Sequence, residues 1–113
     1  MLSFEAAELF VNASADLLDY GYGWVHFEWP DAIFGKEGLE IDAEGHCSRN
    51  MPIHSGTGPP EVLELERNRI KLRFDPALAK RLQLEEEVEI RFSISDEKLC
   101  ELHNLVKEWR RQR

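Results

Sequence analysis

The stretch VLELERNRIKLRF, from Val62 to Phe74, constrains this chain more than any other. It predicts a β-hairpin with Arg67 and Asn68 as its two loop residues. In that register Glu66 faces Arg69, Glu64 faces Lys71 and Val62 faces Arg73 on one surface, while Leu63 and Leu65 meet Ile70 and Leu72 on the other. A slip by one residue buries arginine and exposes leucine, so opposite charges and apolar burial both select one pairing. Asn68 tolerates the positive φ of a tight turn, whereas Arg67 is a less usual loop residue than the Asn-Gly or Gly-x pairs.

The elements after the hairpin carry clear signals. Asp75 followed by Pro76 predicts an N-cap and first helical residue of a short helix ending near Leu82. Val88 to Ile94 alternates apolar and polar residues as a strand does. Ser95 then caps a last helix, with Asp96 and Glu97 in its first turn and Arg110, Arg111 and Arg113 at its end, both suited to the helix dipole. Leu99, Leu102, Leu105, Val106 and Trp109 share one face of that helix. The stripe is expected to cover the apolar face of the hairpin and of Val88 to Ile94.

Upstream the pattern is looser. Between Ser3 and Leu18, Leu9, Val11 and Ala13 alternate with Glu8, Asn12 and Ser14, which favours a strand over the helix that the alanines also suit. DYGYG (Asp19 to Gly23) is turn chemistry and leads into a strand, Trp24 to Trp29, stopped by Pro30. These two segments are expected to pair. Asp31 to Gly38 reads as a loop, Leu39 to Asp42 as a short strand, and His46 to Pro60 as a loop of about 15 residues that is either functional or hides a short edge strand.

At 113 residues, 42% hydrophobic and 32% charged, the chain is expected to be one soluble domain, 1–113. It has no apolar run long enough to span a membrane. MLSFEAAELF lacks the basic start and apolar core of a secretory signal, and Cys47 and Cys100 do not form a disulfide framework, so a reducing cytoplasm is expected. The net charge of −8 is unevenly placed: residues 1–61 hold 11 acidic and 2 basic side chains, a net of −9, and residues 62–113 hold 11 acidic and 12 basic, a net of +1. An acidic first half repels nucleic acid and anionic membrane and steers a basic protein toward itself.

No phosphate loop, GxSxG, HExxH or dinucleotide fingerprint occurs, so no catalytic residue and no cofactor is assigned. His46, Cys47 and His54 do not match the spacing of a zinc module, and no metal is expected there. Cys100 and His103 sit one turn apart beside the helical stripe, and His26 and Glu28 share one strand face; both pairs read more simply as surface or hydrogen-bonding residues than as a nucleophile or base. What remains is aromatic and acidic. Asp16, Asp19, Tyr20, Tyr22, Trp24, Glu28, Trp29 and Asp31 form its centre, and Glu37, Glu40, Asp42 and Glu44 extend it. Tyrosine and tryptophan dominate binding hot spots because they bury large area while fixing few rotors, and flanking carboxylates favour a basic partner.

The run EVLELERNRIKLRFDPALAKRLQLEEEVEIRFSISDEKLCELHNLVKEW (Glu61 to Trp109), preceded by the glycine-containing loop Ser55 to Pro60, resembles the immunity protein 10 family of bacterial polymorphic-toxin systems. The likeness is one of order and polar rhythm: strand, strand, short helix, strand, helix. DYGYGW and FEWPD in the first half resemble the family less. What the resemblance implies is a small cytoplasmic protein that binds and neutralises a cognate toxin without catalysis of its own. Many such toxins are basic nucleases, which suits the acidic first half.

The expected fold is α+β: a mainly antiparallel sheet of about five or six strands, a C-terminal helix packed on one face and a short helix before the last strand. The expected function is that of an immunity protein acting through residues 16–44, as a monomer or weak homodimer. Two other classes compete with it. One is a small metal-binding or ligand-binding protein or enzyme using the His46–His54 loop; the other is a homodimeric interaction protein joined by sheet edges.

Overall fold

A computed structural model describes residues 2–31, 35–49 and 54–113. The fold is α+β, and its strands form two sheets rather than one. The first sheet contains β1 (Leu2–Glu5), β7 (Glu61–Glu66), β8 (Arg69–Arg73) and β9 (Glu87–Arg91) in the order β1-β9-β8-β7. The second contains β2 (Glu8–Asn12), β3 (Trp24–Asp31), β4 (Gly35–Asp42), β5 (His46–Arg49) and β6 (Ser55–Thr57) in that order. Among the described strands only β1 and β9 pair in parallel. Helices α1 (Ala15–Asp19), α2 (Pro76–Leu82) and α3 (Asp96–Arg111) complete the chain.

Two adjacent alanines divide the sheets. The Ala6 N–H donates to the Arg91 carbonyl at 2.8 Å, continuing the pairing of β1 with β9, and the Ala7 N–H donates to the Glu28 carbonyl at 2.7 Å, opening that of β2 with β3. The segment from Ser3 to Leu18 is therefore two short strands and a helical turn, not one strand. Ser14 caps that turn, its hydroxyl accepting from the Leu17 N–H. The pairing of this segment with Trp24 to Trp29 holds, with Leu9 opposite Phe27 and Val11 opposite Val25.

Pro30 does not end β3, which continues to Asp31. The Glu28 carbonyl points to the β2 side, so the position two residues on points the same way, beyond the end of β2. No ladder bond is lost there for want of an N–H. For the same reason β4 starts at Gly35, inside the segment expected as a loop, and pairs along its whole length with β3. The expected loop from His46 to Pro60 contains both β5 and β6.

The hairpin forms as expected at its tip, with Glu66 opposite Arg69, Leu65 opposite Ile70 and Glu64 opposite Lys71. Below that the register shifts, so that Val62 faces Leu72 and Glu61 faces Arg73. The shift takes Leu63 out of the ladder and turns Val62 to the core, where it is 7% exposed. On the outer surface Arg69 meets Glu64 at 2.5 Å, Glu66 at 3.0 Å and Glu89 at 3.2 Å, and Arg73 meets Glu61 at 3.7 Å and Glu87 at 3.4 Å. Even where Arg69 lies opposite Arg91, Glu89 pairs with both.

The buried apolar side chains of both sheets and the helices form one cluster. Capping by Asp75 and Ser95 and the start of α2 at Pro76 follow the sequence reading. Leu102, Leu105, Val106 and Trp109 of the α3 stripe are buried, and Leu99 is partly so. The helix does not lie mainly over the hairpin and β9, however; it packs against β2, α1 and β7 and so bridges the two sheets. Polar contacts tie it down at both ends. The Glu101 carboxylate accepts the Ala13 N–H at 2.9 Å; burial works to raise its pKa, but that bond and Lys98 at 3.0 Å outweigh it and hold the group below the usual range. At the far end Trp109 Nε1 donates to the Asp42 carbonyl, Gln112 to the Ala43 carbonyl, and Arg110 and Arg113 to the Val62 and Pro59 carbonyls.

Candidate functional site

Strand register places side chains in rows across the outer surface of the five-stranded sheet. One row runs Asn12, Trp24, Asp42; the next Phe10, His26, Glu40, Ser48, Ser55; the third Glu8, Glu28, Gly38. The intervening residues, Val11, Val25, Phe27, Leu39, Ile41 and Cys47, are buried. Helices α2 and α3 meet this sheet from its core side: Gly56, opposite buried Cys47, comes up against Leu78 of α2, and the α3 stripe belongs to the core.

Beyond the Trp24 row the face continues into two adjoining turns. The Ala43 N–H donates to the Gly23 carbonyl at 2.8 Å, and Gly21 lies beside the Glu44 carboxylate. Tyr20, at the C-cap of α1, is 79% exposed and Tyr22 is 67% exposed; Trp24 follows at 36%. Asp16 and Asp19 lie on exposed positions of α1.

The twelve residues expected to form one surface divide three ways. Tyr20, Tyr22, Trp24, Glu28, Glu40 and Glu44 lie on the outer face or its turns, with Asp16 and Asp19 nearby on α1. Asp42 is there too, but serves its own turn: Oδ1 accepts from the Glu44 and His46 N–H groups, each at 2.9 Å, and Oδ2 lies 3.0 Å from His46 Nδ1. Of Asp31 only the backbone pairing with Gly35 is described; its side chain lies outside the described residues.

Trp29 and Glu37 do not belong to the surface. Odd-numbered positions of β3 and β4 face inward, and these two residues are paired there. Trp29 packs on Phe4 with ring centroids 4.0 Å apart, and the Arg49 guanidinium sits 5.7 Å from the Trp29 ring centre. Arg49 also meets Glu37 at 2.6 Å and donates to the Leu82 and Gln83 carbonyls at the end of α2. The pair clamps the sheet to α2, with side chains 16% and 19% exposed. Removing the cation leaves Glu37 without this partner, so Arg49→Met is expected to cost about 2 kcal/mol in urea unfolding. Adding Glu37→Gln should recover part of that loss; a double variant as unstable as the sum of the singles would show the two groups to be uncoupled.

Phe10 is the residue that sequence reading missed. It is 46% exposed, its ring centroid 6.3 Å from that of His26. The alternation that sends Leu9 and Val11 inward sends Phe10 outward, so the signal was present. His26 Nε2 lies 3.2 Å from Glu28 Oε1, and its Nδ1 lies 3.5 Å from Glu40 Oε1. Of the competing His46–His54 segment, residues 46–49 and 54 are described. His46 points outward to Asp42, while neighbouring Cys47 is buried, its thiol pushed up to about 12 by burial and by Asp42. Among the described residues no group of three or more His, Cys, Asp and Glu side chains could hold a metal ion. No described helix is long and apolar enough to cross a membrane.

The two outer surfaces differ in kind. On the four-stranded sheet each arginine meets glutamates, whereas on the five-stranded sheet Glu8 lies directly opposite Glu28, an unfavourable like-charge pair. These features define a small two-sheet α+β protein with an open acidic and aromatic sheet face. No protein-family model, curated protein or solved structure matches the chain.

Proposed function

We propose that this protein is an immunity protein that binds a cognate bacterial toxin domain of basic character and neutralises it by occupying its surface. The contact is the outer face of β2, β3 and β4 with the turns that carry Tyr20, Tyr22 and Glu44. One observation carries the choice of surface: the large hydrophobic residues exposed among the described residues, Phe10, Tyr20, Tyr22 and Trp24, all lie between positions 10 and 24. They adjoin carboxylates that, among the described residues, meet fewer cations than those of the other sheet: Glu28 lies 3.8 Å from Lys36 Nζ, and Glu40 meets only the His26 ring. Exposed apolar patches rimmed by polar residues mark sites of protein–protein contact, and tyrosine and tryptophan are the residues that anchor them. The order β7, β8, α2, β9, α3 agrees with the pattern that resembles the immunity protein 10 family.

The neutralising action would take place in the bacterial cytoplasm and requires no catalytic group. Its test is co-expression with the toxin-like domain expected at the end of the adjacent upstream gene. Rescue of growth supports the reading, and persistent killing overturns it. Binding kinetics then test the face: Glu28→Lys should slow association about tenfold with little change in folding, an effect that shrinks as salt rises. Trp24→Ala or Tyr22→Ala at an anchor should cost about 2 kcal/mol through faster dissociation. An affinity indifferent to all three changes would place the contact elsewhere.

A further inference from the structure

The carboxylates of the outer face are not equally free to meet a partner. Asp42 is occupied by its own turn, and Glu28 has both His26 Nε2 at 3.2 Å and Lys36 Nζ at 3.8 Å. Glu40 is half exposed, and its partner among the described residues is His26 Nδ1 at 3.5 Å, the limit of a hydrogen bond. A neutral imidazole carries a single N–H. If that proton goes to Glu28, the closer carboxylate, a nitrogen lone pair is left facing the Glu40 oxygen. Two acceptors then oppose each other with no proton between them.

We infer that this gap is the seat for an arginine side chain of the partner, received by Glu40 and His26 Nδ1 and flanked by the rings of Phe10 and Trp24. The inference rests on the proposed toxin-binding role and deepens it by naming the chemistry of the contact. Phe10 and Glu40 lie directly to either side of His26, and Trp24 is next to His26 on the same strand face. A guanidinium supplies several N–H groups in one plane, so it can serve a carboxylate and a ring nitrogen together. Its flat faces also stack on aromatic rings, which a lysine ammonium does not do. The Glu8–Glu28 opposition adds negative potential at the same spot without competing for the same donor.

Two blocked pentapeptides of equal charge, Gly-Arg-Gly-Arg-Gly and Gly-Lys-Gly-Lys-Gly, distinguish a built seat from diffuse attraction. They are titrated into the full chain in mildly alkaline buffer while the Trp24 indole resonance is followed by NMR. The arginine peptide is expected to bind about fivefold more tightly than the lysine peptide and to move that resonance. Glu40→Gln should bring the two peptides to parity with an unchanged melting temperature, since a glutamine amide can itself donate to His26 Nδ1. Equal affinities in the wild-type protein, a preference that survives Glu40→Gln, or no binding of either peptide would each overturn the seat. None of these results bears on growth rescue, so the toxin-binding reading stands or falls separately.

Discussion

Replacing Trp109 with alanine is expected to lower the free energy of unfolding by about 3–5 kcal/mol. The side chain is fully buried, the largest of the buried set, at the point where α3 joins the two sheets. Its loss opens a cavity, since the end of β4, to which the indole is bonded, is fixed by its ladder with β3 and cannot collapse onto an alanine. It also removes the donor from the Asp42 carbonyl, which Nε1 meets at 2.8 Å. Trp109→Phe separates these contributions: most of the volume stays, the hydrogen bond goes, and a loss of about 1–2 kcal/mol is expected. Urea unfolding measures both. A loss below about 1 kcal/mol for Trp109→Ala would mean that the last turns of α3 are not seated in the core.

Gly45→Ala is expected to be comparably damaging, by about 2–5 kcal/mol, although only one methyl group is added. Gly45 has φ +88°, a region in which an L side chain is strained. A Cβ there would lie 2.5 Å from the Pro59 nitrogen, 2.8 Å from Cδ and 2.9 Å from Cα, atoms of a backbone and ring that cannot swing aside. The Gly58 N–H donates to the Gly45 carbonyl at 2.9 Å and holds the two segments at that separation. Gly21→Ala is the control. Its φ is +77°, but the Cβ would approach only the Glu44 carboxylate at 3.8 Å, so the conformational cost stands alone at about 1 kcal/mol. Equal losses for the two variants would show that the approach of Pro59 to the turn is not close. Because this turn carries Glu44 and adjoins Gly21 and Gly23, the neighbours of Tyr22 in the chain, Gly45→Ala should also weaken partner binding beyond what unfolding explains.

Several features of the candidate face were legible because they depend on local alternation. Trp24, His26 and Glu28 had to share one side of a strand, and the two acid-flanked tyrosines lay in evident turn chemistry. Trp29 and Glu37 were misplaced for a related reason. Their residue types suited a surface, but parity along β3 and β4 sends both inward, where Arg49 pairs with the carboxylate and places its charge over the ring. Arg49 itself is twelve positions from Glu37 and contacts α2 more than thirty positions away, distances over which no periodicity informs.

What the sequence by itself determined is the set of elements whose information is short-range. The tip of the hairpin, the caps at Asp75 and Ser95, the buried stripe of α3 and the surplus of acid in the first half all follow from neighbours, turns and side-chain spacing. Only the tertiary structure decided that the strands divide into two sheets, because the division rests on two backbone N–H groups, those of Ala6 and Ala7, choosing acceptors that are 85 and 21 residues away. It also decided that α3 spans both sheets and that the acidic face remains uncovered. An alternating strand specifies which of its faces is apolar; which partner strand it meets depends on contacts distant in sequence, which leave no period to read.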